Sequence, residues 1–292
     1  MKVLVTGGRG QLGRSVLRRG QARGLEIIAP DHTELDICDE AVTARQLESH
    51  RPRLVINAAA YTAVDKAEAE RARAYAVNRD GAGLLARACA ALNIPLLHVS
   101  TDYVFDGASA RPYREEDPIA PLGVYGESKA EGELAVREAG GSIVRTSWVF
   151  STKGPGFVQT ILRLAKERPT LRVVADQFGC PTWSDDLADA LLTLGTQQDR
   201  AQLYHFCGDG QTNWHAFATA ILDEARQHTA LACERIDAIT TAEYPTPAKR
   251  PAYSVLDTSR IRAIGIVPPS WRIGLARVVM EEFEENRCAG SS

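Results

Sequence analysis

The sequence predicts an α/β fold, a doubly wound parallel sheet with a smaller C-terminal region, and three observations carry that prediction. Five short apolar runs, at residues 3–6, 25–29, 54–57, 96–100 and 142–146, alternate with helical patterns, as parallel strands joined by crossover helices do. The first run enters a glycine-rich loop that opens directly into a helical pattern over 11–23. Beyond Phe150 the texture changes to Gly and Pro turns, Gly154-Pro155-Gly156 and Gly179-Cys180-Pro181, with shorter elements. The boundaries read as 1–150 for the sheet domain and 151–292 for a second region, interleaved with returning strands of the sheet.

The loop after the first strand is Gly7-Gly8-Arg9-Gly10-Gln11-Leu12-Gly13. In a dinucleotide site of Rossmann type, Gly7 permits the tight turn, Gly10 lets backbone approach a pyrophosphate, and Gly13 lets the helix pack closely on the strand. The helix start adds free N–H groups and a positive dipole. The competing reading is a strand-to-helix turn that uses glycine for geometry alone.

The second strand ends at Pro30-Asp31-His32, where an acid meets the adenosine ribose in such folds. Asp31 accepts hydrogen bonds from a free 2′-OH and argues for NADH; Arg9 pairs with a 2′-phosphate and argues for NADPH. The two signals conflict, so use of both cofactors is expected, with a turn or cap as the other role for Asp31. After the third strand, Asn57-Ala58-Ala59-Ala60-Tyr61 offers small residues against which a flat nicotinamide ribose can lie, or simple close packing. Asp65 and Glu68 form a D-x-x-E capping box, which predicts a helix from near Lys66, and an Ala- and Leu-rich helix follows over 72–92.

After the fourth strand, in Ser100-Thr101-Asp102-Tyr103-Val104-Phe105-Asp106-Gly107, Thr101 can hydrogen-bond a carbonyl oxygen and Asp102 can orient a neighbouring hydroxyl. Both are otherwise ordinary loop polars. Tyr125-Gly126-Glu127-Ser128-Lys129 puts a phenol and an amine one helical turn apart on one face. There Lys129 is expected to favour the phenolate of Tyr125, making a group that ordinarily ionises near pH ~10 usable as an acid or base closer to neutrality. A surface helix carries the same spacing, so the neighbouring motifs decide. A chain that joins this pair to a dinucleotide loop points to transfer of a hydride and a proton.

Composition removes other classes. The chain has 292 residues, enough for a sizeable core, and a formal net charge of -3 without basic runs, so nucleic-acid binding is not expected. No apolar run approaches the ~20 residues that span a bilayer, and the amino terminus enters a strand at once, so no membrane partner and a cytoplasmic location are expected. Cys38, Cys89, Cys180, Cys207, Cys233 and Cys288 are scattered without a CxxC pair, and the six histidines show no ligand spacing, which fits reduced thiols and no zinc site.

The motifs together resemble a known family. Thr-Gly-Gly-Arg-Gly-Gln-Leu-Gly at 6–13, Asn-Ala-Ala-Ala-Tyr-Thr-Ala-Val-Asp at 57–65, Ser-Thr-Asp-Tyr-Val-Phe-Asp-Gly at 100–107 and Tyr-Gly-Glu-Ser-Lys at 125–129 are similar to the dTDP-4-dehydrorhamnose reductases. These belong to the extended short-chain dehydrogenase/reductase superfamily, where GxxGxxG and YxxxK are expected partners. Residues 145–150, 176–182, Arg250-Pro251 and 254–257 resemble the family's substrate-side motifs, so the resemblance covers nearly the whole chain.

That resemblance implies NAD(P)H-dependent reduction of the 4-keto group of dTDP-4-dehydro-β-L-rhamnose to dTDP-β-L-rhamnose. It implies Tyr125 as proton donor, Thr101 holding the reacting oxygen, and Lys129 binding the nicotinamide ribose. It also implies Gly10, Gln11 and Leu12 at the pyrophosphate, Asp31, Asp36 and Ile37 at the adenosine end, and Ala59, Ala60 and Tyr61 at the middle. Asp102 and Trp148 are implied at the sugar and Arg250 at a substrate phosphate, with a core tryptophan and a solvated arginine as the rival readings. A homodimer is possible. Relatives suggest magnesium at dimer contacts, to which Glu281-Glu282-Phe283-Glu284-Glu285 would contribute, although an amphipathic, solvated terminal helix is the preferred reading of that run. Two alternatives stay open: a reductase or epimerase for another nucleotide sugar, and a non-catalytic regulatory subunit of the kind that partners methionine adenosyltransferase.

Overall fold

The structure, a computed structural model, describes residues 1–197 and 202–289, the last five without their side chains, so Glu285 and Cys288 lie outside the described side chains. Six parallel strands form the central sheet: β1 (Lys2–Thr6), β2 (Glu26–Ile28), β3 (Leu54–Asn57), β4 (Leu96–Thr101), β5 (Ser142–Thr146) and β6 (Leu203–His205), in spatial order β6-β5-β4-β3-β1-β2. The five expected runs are all strands, and β1, β3 and β5 are buried along almost their whole length, as strands covered on both faces must be. The switch in strand order falls between β1 and β3, beside the glycine loop, where ligands of open α/β sheets bind.

Helix α1 (Gln11–Ala22) covers one face of the sheet; α2 (Glu40–His50) covers the other. The short helices α3 (Val64–Ala67) and α4 (Arg71–Tyr75) lead through a π-helical turn, Ala76–Gly81, into α5 (Ala82–Ala91). The helix expected over 72–92 is thus present, with a π turn inside it. Beyond it lies α6 (Val124–Glu138), packed with α5.

The expected capping box at Asp65 and Glu68 does not form. Helix α3 starts at Val64 without a side-chain cap, because both carboxylates are engaged elsewhere. Asp65 accepts from the Ala248 N–H and pairs with Arg250, and Glu68 Oε1 accepts the Val124 N–H at 3.0 Å, capping α6 across space.

Residues from 151 on build a second core and also complete the first. Helices α7 (Phe157–Glu167), α9 (Trp214–Ala225) and α11 (Trp271–Ala289) enclose an apolar cluster with the parallel pair Thr170–Val174 and Arg235–Ile239. Helix α8 (Ser184–Leu194) returns to lie on α1, held by Ser15–Ser184 at 2.8 Å and by Arg18 on Asp185. Strand β6 likewise comes from this half. The short helix α10 (Ser259–Ala263) packs behind β6. Among the described residues no helix is long and apolar enough to cross a membrane.

Candidate active site

The residues singled out from the sequence converge beyond the carboxyl ends of β1 to β5. After β1, Gly7 takes a left-handed conformation (φ 69°) and its carbonyl accepts the Gly10 N–H at 2.9 Å, closing the turn. A Cβ on Gly13 would lie 2.3 Å from the Gly7 oxygen, so α1 meets the loop as only glycine allows. Gly10 caps α1 with no side-chain hydrogen bond, and no acidic residue occupies the first turn, which leaves the N–H groups there open to an anion. Leu12 and Gly13 are buried and Gly10 is exposed; Gln11 donates to the Pro155 carbonyl at 2.7 Å, joining the loop to the C-terminal half.

At the end of β2 the two residues expected to compete over cofactor choice are bound to each other. Arg9 Nη2 lies 2.6 Å from Asp31 Oδ2, while Asp31 Oδ1 accepts from the Thr33 N–H and hydroxyl and from the Glu34 N–H. The Thr33 contacts foremost, with Arg9 adding to them, hold the Asp31 carboxyl below the ordinary range. Asp31 is therefore both turn-former and ion-pair partner. Asp36 is exposed and accepts the Cys38 N–H; Ile37 is buried beneath it in the core.

Ala59, Ala60 and Tyr61 run partly exposed away from β3. Their path is fixed by Asn78, a residue that the helical pattern does not single out. Its Oδ1 accepts the Tyr61 N–H at 2.8 Å, and its Nδ2 donates to the Tyr61 carbonyl and to the Ser128 hydroxyl. Asn78 sits in the π turn, which brings its backbone so near α6 that a Cβ on Gly132 would lie 2.0 Å from the Asn78 oxygen.

Tyr125 and Lys129 lie one turn apart on α6, but Lys129 does not act on the phenol as expected. Its Nζ donates to the Val99 carbonyl at 2.7 Å and lies 3.1 Å from His98 Nε2. Burial pushes the Tyr125 phenol up to about 12, with the Thr101 hydroxyl pulling the other way. The expected shift toward neutrality is thus reversed, because desolvation of a phenolate outweighs its neighbours. A phenol that keeps its proton is the form a proton donor needs.

Behind Lys129 runs a buried polar chain. Asn57 Oδ1 accepts the Thr6 hydroxyl at 2.6 Å and the Ala59 N–H at 3.2 Å, so its Nδ2 faces His98 Nδ1 at 2.9 Å. With the amide assigned from these partners, Nδ1 accepts and the imidazole proton is placed on Nε2, on the side of Lys129. Burial holds the Lys129 amine down to about 8, against Glu133, and holds His98 well below its ordinary value.

Thr101 and Asp102 close the end of β4. The two side chains are buried and 3.0 Å apart, Tyr103 packs edge-on to Tyr125 with ring centroids 5.5 Å apart, and burial raises the Asp102 carboxyl to about 6. After β5, Trp148 has φ 46°, unusual for a residue with a side chain, and its ring stacks on Trp214 at 3.5 Å. The ring edge presses so closely on Gly179 that a Cβ there would lie 2.5 Å away. Arg250 is half-buried and bidentate on Asp65, at 3.0 and 2.8 Å, and also donates to Thr246.

Among the described residues no three His, Cys, Asp or Glu side chains gather as a metal site needs, and Cys38, Cys89, Cys180, Cys207 and Cys233 are free. In the acidic run, Glu281 approaches Arg18 at 3.7 Å.

A doubly wound sheet with a glycine loop on its first strand and a Tyr–Lys helix beside its fourth defines the extended short-chain dehydrogenase/reductase class. Two curated relatives named dTDP-4-dehydrorhamnose reductase are similar along their whole lengths. That of Aggregatibacter actinomycetemcomitans is 46% identical over 287 residues, covering 95% of this chain and 98% of its own. That of Burkholderia thailandensis is 43% identical, covering 96% and 99%. The crystal structure of dTDP-4-dehydrorhamnose reductase from Bacillus anthracis in complex with NADP superposes with a TM-score of 0.90 at 36% identity, covering 96% of this chain and 99% of that one. The RmlD substrate binding domain pattern matches residues 1–283, and the chain belongs to that family.

Proposed function

We propose that this chain reduces the 4-keto group of dTDP-4-dehydro-β-L-rhamnose to dTDP-β-L-rhamnose with NADPH or NADH, the last step of dTDP-L-rhamnose biosynthesis. The observation that carries the reading is the meeting of Thr101 with Tyr125 beside an uncapped glycine-loop helix, in a chain 46% identical along nearly its whole length to a protein named for that reaction. The residues fit a dinucleotide: the first turn of α1 has no side-chain cap and no acidic residue, and a Cβ at Gly10 would meet only the Gly7 oxygen, at 3.2 Å.

When bound, the nicotinamide supplies the hydride to the sugar C4. The chain's own residues do the rest. Tyr125 holds its proton until negative charge develops on the former carbonyl oxygen, then gives it up as general acid. Thr101 holds that oxygen by a hydrogen bond. Lys129, fixed by Val99 and His98, presents its remaining hydrogen-bonding capacity to the nicotinamide ribose. Gly7, Gly10, Gln11, Leu12 and Gly13 take the pyrophosphate, and Ala59, Ala60 and Tyr61 floor the middle of the cofactor. Asp36 and Ile37 lie at the adenine side, Asp102 and Trp148 bound the sugar, and Arg250 reaches a substrate phosphate in exchange for Asp65.

The Arg9–Asp31 pair accounts for dual cofactor use. A 2′-phosphate takes Arg9 from Asp31, and a free 2′-OH finds an acceptor at Asp31. The test is loss of NADPH absorbance with the keto sugar made in situ, with product identification and kcat/KM for both cofactors. Stoichiometric dTDP-L-rhamnose and a cofactor preference below about a hundredfold are expected. A rearranged sugar without net oxidation would instead make it an epimerase.

A further inference from the structure

We infer that Asp102 works as an un-ionised acid that donates to Thr101, and so leaves the one Thr101 hydroxyl proton free for the sugar oxygen. The inference rests on the reductase reading above and assigns Asp102 as a positioning residue for that reaction.

The argument is a proton count. Thr101 Oγ1 has one proton and two acceptor positions, and the Tyr103 N–H fills one of those at 3.2 Å. Asp102 Oδ1 lies 3.0 Å from Oγ1. If Asp102 is ionised it can only accept, so the Thr101 proton is committed to it. Oγ1 then faces the substrate with a lone pair, and its free position draws in the Tyr125 hydroxyl, its other hydrogen-bonding neighbour. Neither proton remains for the sugar. If Asp102 is un-ionised, its O–H fills the second acceptor position of Oγ1. The Thr101 and Tyr125 protons are then both available to one oxygen outside the cluster.

The surroundings favour the second state. Asp102 is 1% exposed, and its Oδ2 has no hydrogen-bond partner among the described residues. An ionised group would leave a bare charged oxygen buried, whereas the acid buries only a carbonyl oxygen. The groups around it are the hydroxyls of Thr101 and Ser254 and the phenols of Tyr103 and Tyr125, with the Cys207 thiol and, beyond that, Cys180. Arg250 and Asp65 act on Tyr103, and no cation is among the groups that act on Asp102. Burial raises its carboxyl to about 6 against the Ser254 and Thr101 hydroxyls and the backbone N–H groups of Asp102 and Tyr103. In the reaction Asp102 keeps its proton. The hydride forms the new C–H bond, and the Tyr125 O–H bond breaks as the alcohol O–H bond forms.

The test is the pH profile of kcat/KM, with NADPH binding followed by fluorescence. Wild-type activity is expected to fall as pH rises through an apparent pKa at or above about 6, as the raised carboxyl ionises. Asp102→Asn keeps an N–H donor toward Thr101 and cannot ionise. It is expected to turn over more slowly than wild type, by up to about a hundredfold, and to lose that limb. Thr101→Val is expected to lose about tenfold to a thousandfold and to lose the limb as well, having no hydroxyl proton to free. A limb that persists in either variant, a loss above about a hundredfold in Asp102→Asn with NADPH binding intact, or a wild-type profile without the limb would overturn the inference. Failure of the reductase reading looks different: wild-type protein would not turn over the keto sugar at any pH.

Discussion

Replacing Gly13 with alanine tests whether the glycine loop is as tightly built as its contacts require. The new methyl group would stand 2.3 Å from the Gly7 oxygen, 2.7 Å from the Gly8 Cα and 2.9 Å from the Gly7 carbonyl carbon. All three are backbone atoms, so no side chain can swing away. To restore ordinary contact the loop or α1 must move by roughly 1 Å. Overpacking of this kind costs about 1–3 kcal/mol, and a chain of this size loses roughly 2–4 °C of Tm per kcal/mol. The displaced loop also misaligns the N–H groups offered to the pyrophosphate, and losing one or two such charge-assisted bonds weakens binding by about tenfold to a hundredfold. Gly10→Ala is the control. Its methyl group would meet only the Gly7 oxygen, at 3.2 Å, so stability should be nearly retained while cofactor binding falls. Thermal unfolding and NADPH fluorescence titration of the two variants give both quantities. A Gly13→Ala protein with a Tm within about 1 °C and a Kd within about twofold of wild type would refute the reasoning.

Other expectations follow from the ion pairs. Glu133 and Arg145 form a bidentate pair at 2.8 and 2.6 Å with both side chains almost wholly buried. Glu133→Ala leaves the Arg145 charge uncompensated and should cost about 3–5 kcal/mol in urea unfolding, whereas Arg163→Ala, which breaks an exposed pair with Glu167, should cost less than about 1. Equal losses would contradict that account. Under the proposed reading Arg9 leaves Asp31 for the 2′-phosphate, so Arg9→Ala should lower kcat/KM with NADPH by about tenfold and change it little with NADH; a parallel loss with both cofactors would remove Arg9 from cofactor choice.

Strands β1 and β3 were legible as apolar runs flanked by turn residues, and burial on both faces is what such runs record. Strand β6 was not, since three residues, Leu203–His205, are too few to show a period. The π turn at Ala76–Gly81 escaped for a related reason: its residues fit a continuous helical pattern, and only the approach of Gly132 to Asn78 reveals the bulge. Asp65 and Glu68 had the spacing of a local cap, yet each found a partner far along the chain, Arg250 and the Val124 N–H. The motif residues of the site were readable individually. Their pairings were not: Arg9 looked like a rival of Asp31 and is its partner, and Lys129 looked like a partner of Tyr125 and is held by His98 and Val99. Spacing reports which residues share a face, not which buried group outbids another for a hydrogen bond.

The central claim is that Tyr125 delivers the proton to the sugar oxygen, and Tyr125→Phe tests it most directly. Measured with dTDP-4-dehydro-β-L-rhamnose and NADPH, the variant is expected to bind the cofactor as wild type does and to lose most turnover, retaining less than about a tenth of wild-type kcat. A variant that kept more than that, with dTDP-L-rhamnose still formed, would show that the proton comes from another group.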